Sequence, residues 1–474
     1  MLRKLMTNLP EVAGPTKKKL SFKEKLKWTS IILISFFVLS MISLFGLGQN
    51  ALAQFEQLSI ILGANFGSIM SLGIGPIVTA SIVLQLLSGS GILTIDQSSP
   101  EGKAYFQGLQ KLLGIFFIIF EAIIYVMMGG LAPAAGLAPA AYSMMQFLLI
   151  LQLFFGGMLL LFMAEVVDKW GFGSGISIFI AAGVSQQIFI RALSPLTTTG
   201  QLAFGSGLPP VGAVWVFFKS LLNADLTGAA LPFFAIFFTL VVFIMAVYAQ
   251  AMKVDIPLSF GRVRGHGIRW PLKFIYTSNI PVILVAALMA NFQLWARLMQ
   301  NKVGETGVAA WISQNILGQF SGNAPVSGLV YWTHAPNLVD AIISKYFTWE
   351  LLLQSFSYIL FMVGGAVIFS IFWVQTAGMD AKSQAKQILG SGLQMPGFRR
   401  DPRVLEKVLK RYITPLTIMG GATVGILAAV ADLSGALSRG TGILLTVMII
   451  YKLYEEVAQQ HMMDMSPALR KMMQ

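Results

Sequence analysis

The sequence predicts an all-α polytopic membrane protein, and three observations predict it. Composition is the first: 56% of the 474 residues are hydrophobic, 11% are charged, and the mean hydropathy is +0.73, well outside the range of soluble domains. Segment length is the second. A bilayer-crossing helix needs about 20 apolar residues, and ten stretches supply them: 28–47, 74–92, 111–131, 143–164, 174–195, 227–250, 273–295, 349–375, 411–432 and 437–457. The third is a broken span. Residues 55–72 are apolar but dotted with Gly63, Asn65, Gly67 and serines; Gly73-Ile74-Gly75-Pro76 then interrupts the backbone, and an apolar run resumes from Ile77 to Leu87. Broken backbone at membrane depth survives only where protein buries it or where it lines a cavity. The expected arrangement is a half-helix over 55–72, a break and a second half-helix, facing something other than lipid. That points to a passage through the membrane.

Charge sets the orientation of the first span, 28–47, and so of all ten. With a cytoplasmic N-terminus, all of the 33 Lys and Arg face the cytoplasm except Arg191, Lys219, Arg297, Lys302, Lys345 and Arg439. Such asymmetry is what the positive-inside rule requires, so both termini are expected inside. Ala51-Leu52-Ala53, after a basic N-region and an apolar run, imitates a signal-peptide cleavage site. The apolar run is too long for a signal peptide and nine further spans follow, so 28–47 is expected to remain as the first span.

Between spans, two basic cytoplasmic loops stand out. Segment 251–273 carries Lys253, Arg262, Arg264, Arg269 and Lys273; segment 376–411 carries Lys382, Lys386, Arg399, Arg400, Arg403, Lys407, Lys410 and Arg411. One reading is topology determination with attraction to anionic lipid. The other is a docking surface for a large polyanion such as ribosomal RNA.

Enzymatic chemistry has no candidate. Glu101-Gly102-Lys103-Ala104 lacks the spacing and the Ser/Thr of a phosphate-cradling loop. His266, His334 and His461 are scattered over loops and tail, so no metal site or cofactor is expected. The chain has no cysteine, which excludes disulfide and thiol chemistry. Within the spans Glu121 is the one deep carboxylate, ten residues past Lys111 and so about 15 Å into the membrane at ~1.5 Å per residue. An intramembrane carboxylate is a functional candidate, with a structural hydrogen-bonding role as the alternative.

The glycine-opened break recurs. Gly171-Phe172-Gly173-Ser174-Gly175 opens the span with Ile176 and Ile180, and Gly440-Thr441-Gly442 opens the run to Leu445. Ile74/Val78 and Ile176/Ile180 are i,i+4 pairs, each on one helix face. Small residues permit close helix approach, and aliphatic side chains projecting there either close a narrow aperture or pack in the ordinary way.

The stretches Phe22-Lys23-Glu24-Lys25-Leu26-Lys27-Trp28, Leu72-Gly73-Ile74-Gly75-Pro76-Ile77-Val78-Thr79-Ala80, Gly173-Ser174-Gly175-Ile176, Ser278-Asn279-Ile280-Pro281-Val282-Ile283 and Gly440-Thr441-Gly442-Ile443-Leu444-Leu445 together resemble the SecY family, the large subunits of the Sec protein-conducting channel, in its archaeal branch. The resemblance covers essentially the whole chain. It implies two inverted five-helix halves around a central pore, here 28–195 and 227–457, after a cytoplasmic segment 1–27, joined by an external connection 196–226 and followed by a cytoplasmic tail 458–474. Residues 55–72 would be a plug, with Leu58, Ile60, Ile61, Phe66 and Ile69 as its apolar side chains. Ile74, Val78, Ile176, Ile180, Ile283 and Leu445 would form the pore ring. Thr79, Glu121 and Asn291 would form the polar cluster of a lateral gate, and Lys253, Arg262, Arg264, Arg399 and Arg400 would dock the ribosome. The implied partners are a SecE-type gamma subunit, a single-span beta subunit, a translating ribosome, signal sequences, unfolded polypeptides and lipid, at the plasma membrane. A secondary transporter, which also uses broken helices, is the alternative; it would expect several midplane charges.

Overall fold

The structure, a computed structural model, describes residues 9–16, 20–50, 64–89, 91–93, 95, 100–134, 136–197, 201–203, 208–260, 267–277, 279–302, 311–321, 324–390, 393–394 and 401–465. Long helices dominate it. In chain order they are α1 (Phe22–Met41), α2 (Gly75–Gly89), α3 (Pro100–Met127), α4 (Pro139–Trp170), α5 (Gly175–Leu193), α6 (Ala213–Leu222), α7 (Leu226–Ala251), α8 (Ile280–Lys302), α9 (Gly328–Trp332), α10 (Leu338–Ile343), α11 (Trp349–Thr376), α12 (Ala381–Gly390), α13 (Pro402–Leu433) and α14 (Gly440–Met465). Among the described residues seven helices are long and apolar enough to cross a membrane: α3, α4, α5, α7, α8, the helix beginning at Trp349, and α13. Helices also occupy the three other expected spans, as α1, α2 and α14.

Local chemistry sets the boundaries. The first helix starts at Phe22, ahead of the expected 28, because Ser21 and Glu24 form a capping box: the Ser21 hydroxyl accepts from the Glu24 amide and the Glu24 carboxylate from the Ser21 amide. Asp225 caps α7 by accepting from the Gly228 amide at 2.9 Å, and Asp401 caps α13 ahead of Pro402. The expected half-helix over 55–72 is not seen in its described part. Residues 64–74 are a chain of turns, because Gly67 and Gly73 take positive φ and Ser68 and Ser71 hydroxyls bond the carbonyls of Asn65 and Ser68. Residues 51–63 lie outside the described residues.

Burial distinguishes inner from outer helices. In α8, 72% of the most apolar window is buried; in α7, 11% is. The α7 face bearing Phe233, Phe237, Leu240, Phe243 and Ile244 is exposed, as is the α3 face bearing Phe116, Ile119, Phe120 and Ile123. With no polar partner, such faces suit lipid. The largest apolar cluster draws residues from α1, α2, α4, α5, α7, α8, α11, α13 and α14. Two seams join the earlier and later helices: α2 packs on α8 and α11, and α14 packs on α5.

The fold is not wholly helical. β1 (Leu47–Asn50) pairs antiparallel with β2 (Leu131–Pro133). β3 (Lys253–Phe260) pairs along its length with β4 (Gly267–Lys273), and β7 (Leu393–Gln394) adds to β3 at Ser259 and Phe260. Between them in sequence lie β5 (Phe320–Ser321) and β6 (Ala324–Pro325). The stretch 296–345, expected as loop, holds the end of α8, a π-helical turn Ile312–Leu317, and α9 and α10.

Candidate functional site

The site forms where α2 meets α3 and α8. Pro76, in the first turn of α2, has no amide to leave unpaired there, and the Thr79 hydroxyl lies 2.8 Å from the Gly75 carbonyl. The same hydroxyl reaches Glu121 Oε1 of α3 at 3.3 Å and accepts from the Asn291 Nδ2 amide of α8 at 3.0 Å. Thr79, Glu121 and Asn291 are each buried, Glu121 at 2% exposure, so the sequence-predicted trio is one hydrogen-bonded cluster. It is incompletely satisfied by protein: Glu121 Oε2, Asn291 Oδ1 and the Tyr125 hydroxyl, one turn beyond Glu121, make no hydrogen bond among the described residues. Buried polar groups in that condition weaken the seam they occupy.

Next to Thr79 in sequence, Val78 belongs to the set of six aliphatic residues. Ile74, Val78, Ile180, Ile283 and Leu445 are buried in one apolar cluster, and half-buried Ile176 packs against it. Val78, Ile176 and Ile283 form part of the wall of a cavity of about 430 Å³, whose polar wall includes Ser81, Gln85 and Gln110. The Gln110 amide donates to Ser81 Oγ at 2.6 Å, bridging α3 and α2, while buried Gln85 Oε1 has no partner among the described residues. A second cavity of about 860 Å³ lies between α3, α4 and residues 9–11, and its lining includes Glu11, Lys111 and Glu165. Lys111 pairs with Glu165 there. Residues 11–13 are tied to the end of α4: Lys169 pairs with Glu11, the Val12 amide donates to Glu165 Oε2 at 3.1 Å, and the Trp170 indole donates to the Ala13 carbonyl at 2.9 Å.

Of the expected plug residues, Phe66 and Ile69 are described; Leu58, Ile60 and Ile61 lie outside the described residues. Phe66 meets Tyr125 edge-on with centroids 6.4 Å apart, and the Ile69 amide donates to the Ile42 carbonyl at 2.9 Å. Both pack against the apolar cluster of α3 and α4, as Ile176 of the six aliphatic residues also does. Lys253 begins β3, opposite Lys273, and Lys273 forms an ion pair with Glu455 of α14. Arg262, Arg264, Arg399 and Arg400 lie outside the described residues. The β3–β7 pairing brings the two basic loops together, a juxtaposition that the sequence reading missed. It also missed Tyr125, Ser81, Gln85 and Gln110. The available signal was spacing: Gln110 and Tyr125 lie at helical intervals from Glu121, and Ser81 and Gln85 from Val78.

Comparisons with known proteins identify the family. The SecY family model matches residues 68–454. The chain is 46% identical over 470 residues to the protein translocase subunit SecY of Methanothermobacter thermautotrophicus, covering 98% of this chain and 97% of the relative. A solved structure described as that of a protein-conducting channel superposes with a TM-score of 0.82 at 41% identity, covering 99% of each chain. Sec61 in the canine ribosome–channel complex from the endoplasmic reticulum does so with a TM-score of 0.79 at 40% identity, again over 99% of each chain. With the family model spanning most of its length and a relative this similar across nearly all of it, the chain belongs to the SecY family.

Proposed function

We propose that this chain is the pore-forming subunit of a Sec translocation channel, passing unfolded polypeptides across the membrane and releasing apolar segments sideways into lipid. One observation carries the reading: a polar, under-satisfied seam of Thr79, Glu121 and Asn291 joins helices from the earlier and later parts of the chain, and α2 and α8 also contribute to a buried aliphatic cluster. An apolar ring of Ile74, Val78, Ile176, Ile180, Ile283 and Leu445 passes any side chain yet excludes ions by dewetting. The seam has the opposite task. A signal sequence of roughly 20 apolar residues gains by entering lipid, and that gain is set against a few hydrogen bonds, each about 0.6–2 kcal/mol within a membrane.

In this proposal the chain spans the membrane ten times, with both termini cytoplasmic, in two inverted halves, 28–195 and 227–457, linked by 196–226. Residues 55–72 act as the plug on the outer side. Lys253, Arg262, Arg264, Arg399 and Arg400 of loops 251–273 and 376–411 dock ribosomal RNA, consistent with the ribosome-bound relative and with the physics of phosphate contacts. A SecE-type gamma subunit and a single-span beta subunit complete the complex at the plasma membrane. The channel performs no covalent chemistry. The secondary-transporter alternative draws no support from the relatives, which are translocase and channel proteins.

The seam is tested with a graded series of signal sequences in reconstituted vesicles. Glu121→Leu is expected to shift the hydrophobicity at which translocation begins. An unmoved threshold together with a lowered melting temperature would make Glu121 a structural residue and remove it from the gate.

A further inference from the structure

The two glycine-opened helices that carry half of the ring share a second device. At the end of α4, Asp168 Oδ1 accepts from the Gly175 amide in the first turn of α5 at 2.8 Å. At the end of α13, Asp432 Oδ1 accepts from the Thr441 amide in the first turn of α14, also at 2.8 Å. On the ten-span reading these are the fourth and fifth helices of each half. Ser174 occupies the N-cap position of α5 and makes no side-chain cap bond, so the preceding helix supplies the acceptor instead. In each case the new helix starts hard against the old one. A Cβ on Gly175 would come within 2.5 Å of the Ala164 Cα, and a Cβ on Gly440 would collide with Ala431.

We propose that Asp168 and Asp432 are paired positioning residues that set the rotation and height of α5 and α14, and thereby aim Ile176, Ile180 and Leu445 at the ring. The inference rests on the ring assignment above. Ile176 immediately follows the clasped Gly175, with Ile180 one turn on; Leu445 lies one turn past the clasped Thr441. A carboxylate also suits the positive end of each helix dipole. Asp432 does more than Asp168. Its Oδ2 accepts from the Thr441 hydroxyl and from the hydroxyl of Tyr358, which is buried on α11. Since α11 packs on α2 and α8 at the gate seam, Asp432 ties a gate helix to a ring helix. A repeated carboxylate-to-amide bond at equivalent places in two halves is a device of the fold. An isolated cap would not recur on both sides of the ring.

The test is ion leak from vesicles containing the complete channel complex at rest, with the melting temperature measured in parallel. Asp168→Leu and Asp432→Leu are expected to raise the leak several-fold, while Asp168→Asn, whose amide oxygen still accepts from the Gly175 amide, stays near wild type. If Asp432→Leu does not assemble, Tyr358→Phe combined with Thr441→Val removes both hydroxyl donors and is expected to raise the leak to a smaller extent. Ile176→Gly serves as the control for the ring itself. A leak from Ile176→Gly with none from the Asp→Leu variants or the hydroxyl double variant overturns the positioning role, even if their melting temperatures fall. No leak from Ile176→Gly overturns the ring assignment instead.

Discussion

Asn291 and Thr79 stand 212 positions apart in the sequence, and the Asn291 amide donates to the Thr79 hydroxyl at 3.0 Å. That bond joins α8 to α2 and so crosses the seam along which the early and late helices meet. Its neighbours decide its strength. The Thr79 hydroxyl has one proton for two acceptors, the Gly75 carbonyl at 2.8 Å and Glu121 Oε1 at 3.3 Å. The seam is therefore closed by bonds that compete, which suits a contact that must part and re-form.

Asn291→Ala removes the donor and leaves a small void on both sides of the seam. The closed state is expected to lose about 1 kcal/mol, roughly a fivefold change in the open–closed ratio. Less hydrophobic signal sequences should then be accepted. Translocation efficiency across a graded signal series checks this, and an unchanged threshold would show that the bond does not hold the gate.

Replacing Ile180 or Val78 with Asn places a polar amide among the buried aliphatic residues. Dewetting of the constriction should fail and resting ion conductance in planar bilayers should rise. Conductance equal to wild type in both variants would place these residues outside the ring.

Charge reversal in the basic loops tests docking. Arg262→Glu with Arg264→Glu, or Arg399→Glu with Arg400→Glu, should weaken ribosome binding and make the slope of log affinity against log salt shallower by roughly one to two units. The β3–β7 pairing predicts that the two pairs act on one surface, so combining them should add little once the first pair is lost. Full affinity at every ionic strength would leave topology and lipid attraction as the role of these loops.

The tie between residues 11–13 and the end of α4 carries a pH signature. The Lys169 ammonium, by hydrogen bond first and by charge second, holds the Glu11 carboxyl below the usual carboxylate range. A depressed pKa means the attachment is present at neutral pH and is lost as pH falls through that lowered value. Glu11 is largely exposed, so the effect is local. The exchange protection factor of the Val12 amide, which donates to Glu165, should fall on acidification, and Lys169→Met should lower it already at neutral pH.

Much of the architecture was legible in sequence because the bilayer imposes a length and polarity rule on every span. All ten expected apolar stretches begin within eleven residues of their helices' first residue and end within eight of the last, with displacements where caps such as Ser21 extend a helix into polar sequence. The hydrogen-bonded trio of Thr79, Glu121 and Asn291 was legible through Glu121, since a deep carboxylate demands partners. The turns at 64–74 were not, because serine hydroxyls and positive-φ glycines redirect a stretch whose composition reads as helix. The sheet uniting the basic loops was hidden for another reason: its strands lie far apart in sequence and pair through backbone groups, which leave little trace in side-chain pattern. Asp168 and Asp432 escaped notice because each sits just ahead of a glycine-rich turn, where an acidic residue looks like an ordinary helix end.

The most direct test of the central claim is contact with a substrate in transit. A photoreactive amino acid is placed at Ile283, which forms part of the wall of the 430 Å³ cavity, and a ribosome-stalled secretory chain is engaged in the complex. The account predicts a light-dependent adduct between this chain and the nascent polypeptide, lost when the signal sequence is disabled and absent when the probe sits at lipid-facing Phe237. Adducts from Phe237 equal to those from Ile283, or none from Ile283 while the chain is translocated, would contradict a central protein-conducting pore.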